Sequence, residues 1–240
     1  MREQDMREQN PQRQMLKIQN MKKMYGAKTV LDIDSFEFEQ GKIYAVIGSN
    51  GSGKSTLLKL ISKNLKSDSK NTVIDAGNQK ICYMPQKNYA FKMSTLGNVL
   101  IPSKHKKADT ARALELMKAL KIDDLAKSPA KKLSGGETAR MALCRTLLTG
   151  APIILLDEPT AAMDIESTKL SEKLIQSCRD TQNATVILVT HSVSQARRIA
   201  DVILFMKDGR IIEHGTPTEI LDFSNQPETK EFLEFFSSEV

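Results

Sequence analysis

The stretch GSNGSGKST has residue types and spacing suited to holding phosphate. Its glycines allow positive φ angles and let backbone N–H groups face phosphate oxygens. Lys54 is expected to reach the β- and γ-phosphates of a nucleotide, and the Ser55 hydroxyl to ligate Mg²⁺. The predicted phosphate-binding residues are Gly48, Ser49, Asn50, Gly51, Ser52, Gly53, Lys54, Ser55 and Thr56.

The sequence on either side of this stretch supports the phosphate-binding interpretation. An apolar run at 43–47 predicts a strand before it, and apolar residues at helical spacing in 57–61 predict a helix after it. A helix beginning near Lys54 points its positive dipole end at the same oxygens. A flexible Gly/Ser turn with a solvated lysine is the structural alternative, but it would not require these neighbours.

Two adjacent carboxylates, in ILLDEP at 154–159, end another predicted buried strand. Asp157 at the carboxyl end of a parallel strand lies where such sheets bind ligands, and it can hold Mg²⁺ directly or through water. Glu158 could then polarise a water against the γ-phosphate. Paired acids at a strand end are costly without a cation, which favours a functional role.

A second candidate anion site is LSGGE at 133–137. Ser134, Gly135 and Gly136 expose backbone N–H groups and a hydroxyl where a helix is predicted to start. Taken alone, the pattern is also explained by an N-cap with a Gly-rich entry. Beside a complete phosphate-binding loop, it raises the question of why one chain has two phosphate-binding sites.

The elements that must position these residues indicate an α/β fold. Continuous apolar runs at 152–156, 185–189 and 202–206 predict strands of a parallel sheet covered by helices, with helices at about 165–179 and 192–199 as crossovers. Residues 87–148 are predicted to form a helical lobe. We therefore expect a P-loop NTPase core with a mostly parallel sheet, an antiparallel β flap and a helical lobe.

The flap is predicted from the segment LDIDSFEFEQG. Its apolar positions, Leu31 and Ile33 and then Phe36 and Phe38, change phase. This change predicts two strand pieces joined by a kink or bulge near Asp34-Ser35.

Composition restricts the class of protein. The chain has 240 residues with 40% hydrophobic content, and we expect one domain at 15–240 after a disordered tail at 1–14, where MREQ occurs twice. No apolar run approaches the ~20 residues needed to cross a bilayer, and no secretion signal is recognisable. Three distant cysteines fit a reduced, cytosolic compartment. The net charge of +6 forms no basic stripe interleaved with aromatics, so nucleic acid is not expected as a partner.

The order of these motifs resembles the ATP-binding subunit of an ABC transporter over about residues 16–222. The resemblance implies that two copies pack head to tail, with each ATP between the phosphate loop of one copy and the LSGG signature of the other. It also implies further site residues: Tyr25 stacking on adenine, Gln86 touching Mg²⁺ and the attacking water, Asp164 in the loop that crosses the dimer interface, and His191 contacting the γ-phosphate.

The resemblance assigns roles to the remaining candidates. Glu158 is the implied general base, with His191, Gln86 and Lys54 as the other catalytic residues. Ser55, Gln86 and Asp157 are the implied magnesium ligands. The sequence departs from the common pattern at three places: Glu137 where Gln is frequent, the loop Ala161-Ala162-Met163 where Ser and Leu are frequent, and Lys92 where importers often have Pro.

The phrases STLGNV and HGTPTEIL resemble bacterial importers of small solutes, including polar amino acids and oxyanions such as phosphate and tungstate. This implies an ATPase coupled to transport at the cytoplasmic face of the cell membrane. Its expected partners are a separate transmembrane permease subunit, a second ATP-binding subunit that is a copy of this chain, and a solute-binding protein as a further candidate.

Two alternatives remain at this stage. One is an exporter cassette. The other is a soluble ABC ATPase acting on nucleic acid or the ribosome, although members of that group usually carry two cassettes or long coiled coils. A P-loop kinase would have no use for LSGGE.

Overall fold

The computed structural model describes residues 15–237, so the predicted tail at 1–14 and the end of the predicted domain lie outside the described residues. A six-stranded sheet forms the core, in the order β5-β6-β7-β3-β8-β9. Its strands are β3 (Ile43–Ile47), β5 (Ile81–Met84), β6 (Ile153–Asp157), β7 (Thr185–Val189), β8 (Val202–Lys207) and β9 (Arg210–Gly215). All neighbours are parallel except β9, which is antiparallel to β8.

The central strands are apolar because both of their faces are covered. Every residue of β3, β6 and β7 is buried, as the continuous apolar runs predict. The carboxyl ends of these three strands lie at the same edge of the sheet, since the strands are parallel neighbours. Asp157 ends β6, and the segments that follow the three strands carry the phosphate loop, Glu158 and His191.

A second, three-stranded antiparallel sheet has the order β2-β1-β4, with β1 (Met15–Tyr25), β2 (Lys28–Glu39) and β4 (Val73–Asp75). The prediction of two strand pieces near Asp34-Ser35 is wrong, because β2 is one strand. The inward face does switch from Leu31 and Ile33 to Phe38. Opposite this switch, Asn20 of β1 has φ +50° between the pairs Gln19–Ser35 and Met21–Ile33, and the register of the two strands shifts further along, between Lys23 and Met24.

Eight α-helices and a short 3-10 helix at Ala130–Lys132 complete the described fold. The α-helices are α1 (Lys54–Ile61), α2 (Thr95–Val99), α3 (Lys106–Ala119), α4 (Gly135–Leu148), α5 (Ile165–Gln182), α6 (Val193–Ile199), α7 (Pro217–Leu221) and α8 (Pro227–Ser237). Helices α2, α3 and α4 form the lobe between β5 and β6. The predicted fold class is confirmed: a P-loop core, an antiparallel layer and a helical lobe.

Each face of the main sheet has its own apolar core. On one face, α1 and the antiparallel sheet pack on β6 and β7 through residues such as Leu57, Leu155 and Ile187. On the other face, the lobe packs through Met117, Met141 and Leu156. Among the helices of residues 15–237, none has the length and apolar character that crossing a membrane requires.

Candidate active site

The phosphate loop passes close to neighbouring backbone, which explains two of its glycines. Gly48 has φ +144°, and a Cβ added there would lie 2.1 Å from the carbonyl oxygen of Met206. Gly53 has φ +102°, and its Cβ would lie 2.7 Å from the carbonyl oxygen of Val30. Any side chain at these positions would collide with backbone, so the loop keeps its shape only with glycine.

Lys54 begins α1 and is buried, with 5% of its surface exposed. Its Nζ donates to the carbonyl oxygens of Gly48 at 2.7 Å and Ser49 at 2.8 Å, and to Ser52 Oγ at 3.4 Å. Burial lowers the pKa of Lys54, while the charges of Glu158 and Asp157 act in the opposite direction. A buried ammonium whose hydrogen-bond acceptors are all neutral is well suited to an anionic phosphate group.

Asp157 ends β6 with only 1% of its surface exposed. Its Oδ1 accepts a hydrogen bond from Ser55 Oγ at 2.8 Å, and its Oδ2 accepts one from Tyr83 Oη at 3.1 Å. Burial raises the pKa of Asp157, and these two hydrogen bonds act to lower it. A buried carboxylate held by two neutral hydroxyls provides negative charge without a neutralising donor, which suits a cation.

Glu158 lies just beyond the strand in a strained backbone conformation, with φ +50°. Its side chain contacts two other predicted catalytic residues: Oε1 is 2.8 Å from Nε2 of His191, and Oε2 accepts from Nε2 of Gln86 at 3.0 Å. Because a carboxylate can only accept, Nε2 of His191 carries the hydrogen. Both oxygens of Glu158 are therefore oriented by residues from two other strand ends.

A cavity of about 250 Å³ adjoins Glu158 and His191, lined also by Thr160, Thr190 and Gln195. A water molecule occupies about 30 Å³ of liquid, so the cavity has room for water beside the carboxylate. The hydroxyl and amide groups of its walls can hydrogen-bond to such water. The arrangement therefore leaves space for water beside the carboxylate of Glu158.

The signature residues lie at the start of α4. Ser134 is the N-cap: its Oγ accepts from the N–H of Glu137 at 3.3 Å, and Glu137 Oε2 accepts from the N–H of Ser134 at 2.7 Å. These hydrogen bonds lower the pKa of Glu137, the backbone bond from Ser134 contributing most. Glu at 137 therefore completes a capping box and places a carboxylate where the helix dipole favours negative charge.

The structure does not bring every predicted site residue together. Within one copy of the described chain, the hydrogen bonds of residues 134–136 do not include the phosphate loop. Tyr25, at the end of β1, is 58% exposed, and Nζ of Lys23 lies 5.5 Å from its ring centroid. Asp164 caps α5 by accepting from the N–H of Ser167 at 2.7 Å.

Tyr83, which donates to Asp157, is the site residue that sequence reasoning missed. It belongs to no recognised motif, and Gln86 was singled out three residues later on the resemblance alone. No signal in the sequence identifies it, because its hydrogen bond to Asp157 depends on how two strands pair.

Comparison with known proteins identifies close relatives. The sequence profile described as "ABC transporter" matches residues 31–161. The tungstate uptake system ATP-binding protein TupC of Peptoclostridium acidaminophilum is 41% identical over 206 residues, which cover 82% of this chain and 96% of that protein. A probable amino-acid import ATP-binding protein, YxeO of Bacillus subtilis (strain 168), is 35% identical, covering 91% of this chain and 96% of its own length.

Solved structures agree with the sequence comparison. A bacterial ABC transporter cassette crystallised as a dimer has a TM-score of 0.77 with 27% identity, covering 84% of this chain and 98% of its own. A cassette in its ADP conformation has a TM-score of 0.74 with 23% identity, covering 91% and 97%, and shows a shared fold. With its phosphate loop, paired carboxylates and signature in the family's order, the chain belongs to the ABC transporter family as an ATP-binding subunit that hydrolyses ATP.

Proposed function

We propose that this chain powers the import of a small solute through a separate membrane permease, with hydrolysis carried out by the residues grouped around Glu158. The observation that carries the hydrolytic assignment is the contact of both Glu158 oxygens with His191 and Gln86, beside a cavity with room for water. Import is supported by the names of the two relatives, one an uptake and one an import ATP-binding protein.

Each residue has a distinct task in the proposed reaction. Glu158 takes the proton of the attacking water, which His191 and Gln86 keep aligned by fixing the carboxylate. Lys54 exchanges its carbonyl partners for β- and γ-phosphate oxygens, joined by the N–H groups of the loop from Gly48 to Thr56. This set directs the γ-phosphoryl group toward water, whereas a kinase must present it to another acceptor.

The donors around Asp157 fit a magnesium ion. Ser55 Oγ, the Asp157 carboxylate and the amide oxygen of Gln86 are the oxygen ligands available, and Mg²⁺ typically binds through one or two carboxylates together with substrate phosphates and water. Among the described residues, no cluster of three or more His, Cys, Asp or Glu could hold a metal. Bound beside Asp157, Mg²⁺ would neutralise phosphate charge during hydrolysis.

We further propose a head-to-tail dimer of two copies, each a single domain spanning residues 15–240. The proposal accounts for the signature at 134–136, whose hydrogen bonds within one copy do not include the phosphate loop. In the dimer, Gly135, Gly136 and the Ser134 hydroxyl of one copy would face the γ-phosphate bound by the other. Dimeric assembly is supported by the solved dimer of a related cassette.

The permease is proposed to dock on the segment after Gln86. Tyr89, Phe91 and Met93 are 58%, 50% and 45% exposed there. Arg145 of α4 connects this segment to the signature helix, since it donates to the carbonyl oxygen of Tyr89 at 3.1 Å and lies 5.5 Å from the Phe91 ring centroid. A movement of α4 on ATP binding would thus reach the docking segment, at the cytoplasmic face of the membrane.

A pull-down of the tagged full chain in mild detergent tests the partner. We expect a polytopic membrane protein in stoichiometric amount, with a solute-binding protein as a further candidate. Ribosomal or DNA-repair proteins in its place would contradict the transport assignment. Reconstitution of the complex in proteoliposomes with tungstate or a polar amino acid then tests the solute, read as solute-stimulated phosphate release.

A further inference from the structure

We propose that Tyr83 is a positioning residue that fixes the orientation of the Asp157 carboxylate and so sets the affinity of the site for its divalent cation. The inference rests on the proposed magnesium site, because it concerns how this chain prepares Asp157 for that ion.

The sheet register places Tyr83 where it can act. Tyr83 of β5 pairs with Leu155 of β6 in parallel register, and Leu155 lies on the same face of the strand as Asp157, two residues further on. The Tyr83 ring packs against the apolar core on the α1 face, the same face from which Ser55 approaches. One face of the sheet therefore brings together a hydroxyl from α1, the carboxylate from β6 and a phenol from β5.

The two hydroxyls hold different oxygens of the carboxylate. Ser55 Oγ donates to Oδ1 at 2.8 Å, and Tyr83 Oη donates to Oδ2 at 3.1 Å. With both oxygens engaged, rotation about the Cβ–Cγ bond of Asp157 is restricted. Ser55 is itself a proposed metal ligand, whereas Tyr83 is not, so the Tyr83 bond is the one that does not change when the ion binds.

A phenol differs from a charged donor in its effect on the bound cation. A lysine or arginine in its place would also hold Oδ2, but its positive charge would compete with the cation for the carboxylate. A phenol supplies a donor without a charge. Partners that orient a metal ligand in this way typically change metal affinity by about 10- to 100-fold when removed.

Tyr83→Phe is the direct test, because it keeps the ring in the core and removes only the hydroxyl. The full chain would be loaded with a non-hydrolysable ATP analogue, and Mn²⁺ binding followed by electron paramagnetic resonance well below the unfolding midpoint of each variant. We expect Y83F to bind Mn²⁺ about 10-fold more weakly. Its affinity for the analogue in EDTA should equal that of the unmodified chain.

Tyr44→Phe is the matched control, since it removes the hydroxyl of another tyrosine, one that is buried and accepts from the N–H of Glu39 at 2.7 Å. It should bind Mn²⁺ like the unmodified chain. The positioning role is overturned if Y83F and the unmodified chain give superimposable Mn²⁺ titrations. It is also overturned if Y83F weakens analogue binding in EDTA as much as Mn²⁺ binding, because that pattern indicates general disruption.

A third variant separates this inference from the magnesium site itself. Asp157→Asn should abolish Mn²⁺ binding above that of the free nucleotide analogue. If D157N binds Mn²⁺ normally, the proposed magnesium site is wrong, and the role of Tyr83 is overturned with it. If D157N loses Mn²⁺ binding while Y83F keeps it, the magnesium site stands and only the role of Tyr83 is overturned.

Discussion

Glu158 combines a strained backbone with a fully engaged carboxylate. A non-glycine residue at φ +50° costs about 1–2 kcal/mol, which the surrounding structure must offset. The N–H of Glu158 donates to the carbonyl oxygen of Val189 at 3.0 Å, and both side-chain oxygens have partners. These contacts hold the side chain away from the path of β6 and toward His191.

Glu158→Gln should abolish ATP turnover and leave an ATP-bound dimer, because it removes the base and a repelling charge but keeps both phosphate-binding sites. The measurements are phosphate release and light scattering after size exclusion with saturating ATP. Glu115→Gln, at an exposed position of α3, is the control and should hydrolyse ATP normally. A Glu158→Gln chain that stays monomeric would contradict the head-to-tail dimer.

Tyr25→Ala should weaken nucleotide binding with little change in kcat. Stacking of a base on an aromatic ring contributes about 1–3 kcal/mol, so a KM for ATP roughly 10-fold higher is expected. Tyr89→Ala, also 58% exposed, controls for loss of a surface ring. An unchanged KM for ATP would mean that Tyr25 only packs against Lys23.

At the scale of residues, the sequence predicts the site residues that lie at or just after the ends of apolar strands. Asp157 ends an apolar strand, and Lys54, Glu158 and His191 come after the ends of such strands. Parallel strands bring their carboxyl ends to one edge of the sheet, so these side chains are expected to meet there. Tyr83 could not be predicted, since its bond to Asp157 depends on the β5–β6 register, which pairs it with Leu155. A shift of one residue would turn the phenol to the opposite face.

At the scale of elements, the end of β3 and the end of β8 approach each other at Gly48. A side chain there must displace the backbone of Met206, from which a Cβ would be only 2.1 Å. Gly51 lies in the same loop with φ +80°, but a Cβ added there would meet nothing within 4 Å. Substituting Gly51 therefore measures the cost of the unfavourable φ alone, whereas substituting Gly48 adds the cost of a collision with backbone.

Gly48→Ala should lower the free energy of unfolding by at least about 3 kcal/mol, within the range of large single-site effects. Gly51→Ala should lower it by about 1–2 kcal/mol, the cost of an unfavourable φ alone. Urea unfolding followed by circular dichroism gives both values. Equal losses for the two variants would contradict the close approach of β3 and β8.

Elements with one strong period were predicted well, and those with mixed signals were not. The runs that became β3 and β7 were located from their apolar character, whereas β9 and α8 were not identified. β9 mixes Glu213 and His214 with apolar residues, so it lacks both a continuous run and strict alternation. In β2 the phase change was real, but pairing with β1 kept the strand continuous.

At the scale of the whole molecule, the phosphate loop and the signature lie on different parts, and no described hydrogen bond of the signature residues 134–136 connects the two within one copy. The loop follows β3 at the centre of the sheet, and the signature begins α4 in the helical lobe. A chain with a defective loop and a chain with a defective signature should therefore complement each other, because a mixed dimer holds one intact site.

Lys54→Ala removes the phosphate-binding ammonium, and Gly135→Asp places a carboxylate beside the proposed γ-phosphate position. Each variant alone should lack ATPase activity. An equal mixture should recover up to about a quarter of the unmodified rate, since about half of its dimers are mixed and each has one of two sites intact. Mixing Lys54→Ala with the double variant should recover nothing. No recovery in the first mixture would contradict sites built from two copies.

The position of β3 in the sheet also decides when in its synthesis the chain can first hold ATP. β3 is the first strand of the main sheet to be made, yet its neighbours β7 and β8 are among the last. Gly48 of the phosphate loop lies so close to the carbonyl oxygen of Met206 in β8 that a Cβ would be 2.1 Å from it. The shape of the loop therefore depends on a strand that is translated much later. We thus expect a chain on the ribosome to bind nucleotide, and to be stabilised by it, only after β8 has emerged.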